Sequence, residues 1–150
     1  MIGRIYHVGL TVSDLEKSIA FYRDVLGLEF QGEILMVGEE TDRMFRKKNC
    51  QARIAYLNGS KNIETPPVEL IQFIDSRINK VQSDLFATSI SELCFYTKDI
   101  DAVYKRFADY NIECLSEPQY FDFTSQGFGK SKAFYFKDPD GIILEMMQPL

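Results

Sequence analysis

The sequence predicts an α+β protein made of two tandem copies of one βαβββ module. Three observations carry that expectation. Several segments alternate apolar and polar residues at strand period, while two repeat apolar residues every three or four positions. Placing His7 on Glu92 aligns Val8 with Leu93, Leu10 with Phe95, Asp14 with Asp99 and Leu15 with Ile100. Placing Glu69 on Glu145 then aligns VELIQ with LEMMQ, so that acid and glutamine fall in register.

The elements follow in order. Ile5–Val12 (IYHVGLTV) is dense in β-branched and apolar residues and reads as the first strand. Ser13 or Asp14 offers an N-cap, with Glu16 and Lys17 in the first turn. Leu15, Ile19, Tyr22 and Leu26 form one face of a helix that Gly27 ends. Residues 28–37 and 52–57 read as strands joined by a polar, charged loop over 39–49. Pro66 and Pro67 lead into a strand over 68–73. Residues 75–89 are polar and lack periodicity. One domain over 1–150 is therefore expected, with module 1 over about 1–75, a linker over 76–89 and module 2 over about 90–150.

The second half repeats the plan. Residues 91–97 read as a strand, and Asp99 caps a helix whose apolar face is Ile100, Val103, Phe107 and Tyr110. A strand is expected over 112–115, a loop or irregular hairpin over 118–130, and a strand over 133–136. Asp138-Pro139-Asp140-Gly141 is a tight turn before the last strand, 142–147. His7 and Glu92 are 85 positions apart, whereas Glu69 and Glu145 are 76 apart. The second copy is thus nine residues shorter, a difference assigned to the charged loop of the first.

Composition excludes several classes. With 45% hydrophobic and 26% charged residues, the chain is no disordered segment. A net charge of −5 argues against nucleic acid, which needs clustered lysine and arginine. The one basic run, Arg43–Lys48, is either a solvated loop or a clamp for an anionic substrate. No stretch is long enough to span a membrane, and a strand pattern at the N-terminus leaves no sign of a signal peptide. Cys50, Cys94 and Cys114 are odd in number and widely spaced. They read as free thiols in a cytoplasmic protein rather than a disulfide framework.

Strand parity brings out four residues. If Val8, Leu10, Leu93 and Phe95 pack on the helices, His7 and Glu92 face the opposite side of the sheet. Glu69 and Glu145 sit in mid-strand among Leu, Ile and Met, where an ionised carboxylate is costly without a partner. A metal ion or a polar ligand removes that cost.

HVGLTVSDLEKSIAFYRDVLGLEF, from His7 to Phe30, resembles the opening of glyoxalase-like proteins of the vicinal oxygen chelate superfamily. KDPDGIILEMMQP, from Lys137 to Pro149, resembles their close. The likeness runs from Ile5 to Pro149. Its most specific parts, the LGL helix end and the DPDG turn, point to the superfamily and not to one activity. The resemblance implies the glyoxalase-like fold: mixed sheets of paired βαβββ modules, curled to enclose a cavity. It implies a homodimer, and a divalent metal ion held by one residue from each of four strands. Those positions fall on His7, Glu69, Glu92 and Glu145.

Glu92 departs from the pattern, because glyoxalases and epimerases usually place histidine there. The chain has one histidine in all, so the two-histidine facial triad of iron dioxygenases does not fit. One imidazole and three carboxylates form a hard donor set, with Mn²⁺, Mg²⁺, Zn²⁺ and Ni²⁺ as candidate ions. Three carboxylates around a divalent ion leave a net negative site, which weakens the ion as a Lewis acid.

The resemblance implies a glyoxalase I-like lyase or epimerase acting on a small vicinal-oxygen substrate, a hydroxy-carbonyl or an acyl thioester, through an enediolate. In that reading Glu145 or Glu92 moves the proton, and His7 and Glu69 hold the ion. The alternative is a non-catalytic module that binds or sequesters a small molecule or antibiotic. Thiol transfer to a small electrophile shares the fold but fits the acids less well. Cys94 either lines the cavity or is a small buried hydrophobe. Tyr120, Phe121, Phe123 and Phe128 form either a lid or dimer and core contacts. Gly127 and Gly129 read as loop flexibility, since no strand-to-helix context surrounds them.

Overall fold

The computed structural model describes residues 3–59 and 67–150. Pro66, expected to lead into a strand, lies outside them. The chain divides into two compact units, Met1–Lys80 and Val81–Leu150. Each carries one four-stranded mixed sheet.

In the first unit the strands are β1 (Val8–Thr11), β2 (Glu29–Met36), β3 (Gln51–Asn58) and β4 (Val68–Ile74), in the spatial order β1-β4-β3-β2. In the second they are β5 (Leu93–Tyr96), β6 (Gln119–Asp122), β7 (Lys130–Lys137) and β8 (Ile143–Pro149), in the order β5-β8-β7-β6. The first and last strands of each unit pair parallel and the others pair antiparallel. The expected α+β repeat is therefore realised as two sheets of identical topology.

The helices start where the acids stand. Asp14, not Ser13, caps α1 (Leu15–Ala20), its Oδ1 accepting from the Lys17 amide at 3.0 Å. Asp99 caps α3 (Ile100–Asp109) in the same way, accepting from the Ala102 amide at 3.0 Å. After Ala20 the first helix widens into a π turn over Phe21–Val25, and Gly27, at φ 78°, ends it. Leu15, Ile19 and Tyr22 are buried, as their spacing requires. Ile100 and Phe107 are buried on α3, but Tyr110 is exposed, with the Arg106 guanidinium 5.4 Å from its ring centroid. The expected apolar face of α3 thus stops at Phe107, because Tyr110 lies beyond the last helical turn.

The glutamines aligned by the repeat have a role on the helix side. Gln72 Nε2 donates to the Ser13 carbonyl at 3.1 Å, and the Ile100 amide donates to Gln148 Oε1 at 2.9 Å. Each glutamine ties the last strand of its unit to the start of that unit's helix, where backbone groups lack partners of their own. Arg53 adds a second tie in the first unit, reaching Glu33 of β2 at 2.6 Å and Glu16 of α1 at 2.7 Å.

Three expectations need correction. Residues 39–45 are helical, not loop, and form α2 (Glu39–Phe45). Arg43 pairs with Glu39 one turn back, Thr41 is buried, and Phe45 meets Phe73 edge-on at 5.1 Å between centroids. The strand expected over 112–115 reduces to a single bridge from Cys114 to Phe136. Only the two backbone bonds that flank Cys114 hold it, from the Leu115 amide to the Tyr135 carbonyl and from the Lys137 amide to the Glu113 carbonyl, and pairing resumes at β6, so that 118–130 takes the irregular-hairpin form of its two readings. The first strands of the two units are shorter than expected, and His7 and Glu92 lie just before them. The DPDG turn forms as expected. The Gly141 amide donates to the Asp138 carbonyl at 3.0 Å, and Asp138 Oδ1 accepts from the Asp140 and Ile142 amides.

Replacing Gln148 by alanine leaves the Ile100 amide without its acceptor. The expected cost is about 1–3 kcal/mol, read as a lower urea midpoint at unchanged slope.

Candidate functional site

Period-two alternation puts one row of side chains from each strand on the sheet face away from the first helix of its unit. In the first unit that row holds Gly9 and Thr11 of β1, Glu69, Ile71 and Phe73 of β4, and Tyr56 of β3. Glu69 stands directly between Gly9 and Tyr56 in the register. It is buried at 8% exposure, so its charge needs partners. Tyr56 donates its hydroxyl to Glu69 Oε1 at 2.7 Å. His7 Nε2 lies 3.3 Å from Glu69 Oε2.

Gly9 makes room for this carboxylate. A β-carbon at position 9 would stand 3.2 Å from Glu69 Oε2 and 3.4 Å from Ile71 Cδ1, closer than such contacts normally run. Burial first, and then the bond to Glu69, push the Tyr56 hydroxyl up to about 12, so it stays a donor across the physiological range.

The second unit repeats the pattern with one exchange. Glu145 stands between Cys94 and Tyr135 in the register. Cys94 therefore occupies the place that Gly9 holds in the first unit. Its thiol stands in the field of Glu145 and Glu92, and its sulfur lies 3.9 Å from the Phe95 carbonyl oxygen, to which it donates. Loss of water contact, then these two carboxylates, push the thiol up to about 12. Tyr135 is also raised, by burial first and then by Glu145 and Glu92. Cys94 is exposed, which overturns the reading of it as a small buried hydrophobe. The buried thiol is Cys50.

Of the four residues singled out by parity, His7 and Glu69 meet in the first unit, and Glu92 and Glu145 act on the same thiol in the second. Within either unit, no three of the described His, Cys, Asp and Glu side chains gather closely enough to hold a metal ion. Tyr56 and Tyr135 were missed by the sequence reading. The signal was present, because both tyrosines sit mid-strand at the same place in the repeat, each opposite the acid of the neighbouring strand.

The aromatic residues Tyr120, Phe121, Phe123 and Phe128 are all exposed, so they are not core contacts. Phe121 and Phe123 stack at 5.7 Å between centroids. Gly127, at φ 85°, closes a short 3-10 turn over Thr124–Gln126, in keeping with a loop role. No helix among the described residues is long and apolar enough to cross a membrane.

The sequence profile of the Glyoxalase/Bleomycin resistance protein/Dioxygenase superfamily matches residues 4–146. The chain belongs to this superfamily. The protein YwbC of Bacillus subtilis is 28% identical over 148 residues, covering 99% of each chain. The metallothiol transferase FosB of Staphylococcus haemolyticus is 29% identical over 147 residues, covering 97% of this chain and 84% of its own. The crystal structure of a glyoxalase family protein from Bacillus cereus superposes with a TM-score of 0.83 at 20% identity, covering 100% of this chain and 96% of that one. This last likeness speaks to the fold, which is the α+β repeat of the superfamily.

The raised Cys94 thiol generates a prediction. At pH 8, where an ordinary thiol is partly ionised, Cys94 is expected to react slowly with iodoacetamide despite its exposure. Replacing Glu145 by glutamine removes one of the opposing charges and is expected to speed that reaction several-fold, as read by mass spectrometry of the labelled peptide.

Proposed function

We propose that the protein is a metal-dependent lyase or isomerase of the glyoxalase type. The observation that carries this reading is the pair His7 Nε2 and Glu69 Oε2, 3.3 Å apart on the sheet face opposite α1. Two adjacent donors bound at about 2.1 Å to one ion stand roughly 3.0–3.4 Å apart, so the pair has the spacing of two ligands on a shared ion. Glu92 and Glu145 are the other two ligands in this reading. They join the first pair either within the chain or across a homodimer. The three free thiols and the exposed aromatic residues of the second unit agree with a cytoplasmic dimer.

A bound divalent ion supplies electrostatic stabilisation to an oxyanion that develops on a substrate with vicinal oxygens. The chain's own residues do the rest. Tyr56, holding Glu69 Oε1 by its hydroxyl, orients that carboxylate so that Oε2 is presented beside His7 Nε2. Gly9 keeps the approach to Oε2 clear. A carboxylate oxygen of Glu145 takes the proton next to the substrate carbonyl and returns it to the adjacent carbon. Glu92 is the second acid available for that transfer.

One observation favours a second reading, a non-catalytic small-molecule binder. Glu69 already has the Tyr56 hydroxyl at one oxygen and the His7 imidazole beside the other, so it has polar partners without an ion.

Elemental analysis separates the two. The metal enzyme is expected to carry a stoichiometric divalent ion that is lost in Glu145→Ala and reduced in Gly9→Ala, whose new methyl group displaces Glu69 Oε2. Equal metal in the parent and in Glu145→Ala removes Glu145 from the ligand set. A saturating ion at about 100 times its Kd adds roughly 2.7 kcal/mol, which raises the melting temperature by about 5–10 °C. A metal-free protein whose melting is unmoved by Mn²⁺, Ni²⁺ or Zn²⁺ leaves the binder.

A further inference from the structure

A cavity of about 260 Å³ opens in the first unit, lined by Thr11, Phe45, Lys47, Cys50, Phe73 and Ser76 with Arg77 and Ile78 beside them. It lies on the same sheet face as Glu69, at the far end of β4. On β4 the lining residue Phe73 follows Glu69 by four residues, about 13 Å of strand, and on β1 Thr11 follows Gly9 by two, about 7 Å.

Its chemistry is two-sided. Phe45 and Phe73, in edge contact, join Ile78 and the buried Cys50 as apolar wall. Lys47 and Arg77 supply two positive charges, and no aspartate or glutamate lines the cavity. Among the described residues neither cation forms an ion pair. Lys47 donates instead to the Ser76 hydroxyl, which holds the ammonium at the cavity. Two cations left without a carboxylate are conspicuous in a chain of net charge −5. Arginine and lysine together on an apolar pocket suit a carboxylate on an apolar body, the guanidinium by its paired donors and the ammonium as a point charge.

The local fold fixes one wall of this cavity. Asp42 of α2 accepts from the Asn49 and Cys50 amides, both at 2.8 Å, and so fixes the turn that carries Lys47. That stretch lies where the first repeat is longer than the second. His7 and Glu92 are 85 positions apart but Tyr56 and Tyr135 are 79 apart, so six extra residues fall before Tyr56. Two of its lining residues, Phe45 and Lys47, thus come from the stretch in which the first copy is longer.

We propose that this cavity is a binding site for a small monocarboxylate with an aromatic or aliphatic body, separate from the His7–Glu69 pair and independent of any metal. The test is calorimetric titration of the full-length protein with phenylacetate and with its neutral counterpart phenylacetamide, before and after treatment with EDTA. Phenylacetate is expected to bind saturably and at least tenfold more tightly than the amide, with or without EDTA. The double variant Lys47→Gln/Arg77→Gln, which changes only exposed side chains, is expected to lose at least tenfold in affinity while its melting temperature stays close to the parent's. Equal affinity for acid and amide overturns the proposal, as does undiminished binding by the double variant. Binding abolished by EDTA assigns the ligand to a metal and also overturns it. So does the absence of saturation at concentrations on the order of 10 mM.

Discussion

The structure depends on the two-faced central strand of each sheet. β4 and β8 each lie between a parallel and an antiparallel neighbour, so their backbone is hydrogen-bonded on both edges and their side chains have only two directions to take. Three positions separate Glu69 from Gln72 and Glu145 from Gln148, an odd number, so acid and amide must point to opposite faces. The amide ties the strand to the helix start. The acid is thereby committed to the other face. A slip of one residue would turn the acid into the packed helix side and the amide away from its backbone partner, so the register is strongly specified.

What surrounds the acid then differs between the two copies, and that difference separates their chemistry. Glycine at position 9 leaves Glu69 free to meet His7 and Tyr56. Cysteine at position 94 fills the same place beside Glu145 and holds its thiol proton against two carboxylates. The first unit holds its carboxylate between the Tyr56 hydroxyl, which donates to one oxygen, and the His7 imidazole beside the other. The second concentrates negative charge around a neutral thiol. Equivalent positions of the two copies thus carry different residues, and the surroundings of the two acids differ accordingly.

Much of this was legible in the sequence. Asp14 and Asp99 announce the helix starts because a short side-chain acceptor beside an apolar periodic stretch has few other uses. The alignment of VELIQ with LEMMQ marks the paired last strands, and parity separates His7 and Glu92 from the packed Val8 and Leu93. The failures have local causes. The charged stretch 39–45 looks like loop when only polarity is weighed, yet the Glu39–Arg43 spacing and the burial of Thr41 make it a helix. The strand expected over 112–115 shrinks to the Cys114–Phe136 bridge and the two backbone bonds that flank it. Tyr56 and Tyr135 went unnoticed because a tyrosine in a strand is ordinary until the register sets it opposite an acid.

The sequence by itself determined the repeat, the helix caps, the turn at Asp138–Gly141 and the side of the sheet on which each acid lies. These follow from local propensity and from the two-residue period of a strand, which any segment carries with it. Tertiary structure alone decided the partners: Tyr56 on Glu69, Cys94 on Glu145, and Lys47 beside Ser76 at the end of an apolar cavity. Such contacts join residues distant along the chain. Their distances depend on strand order and on the path of the intervening turns, which no single segment encodes.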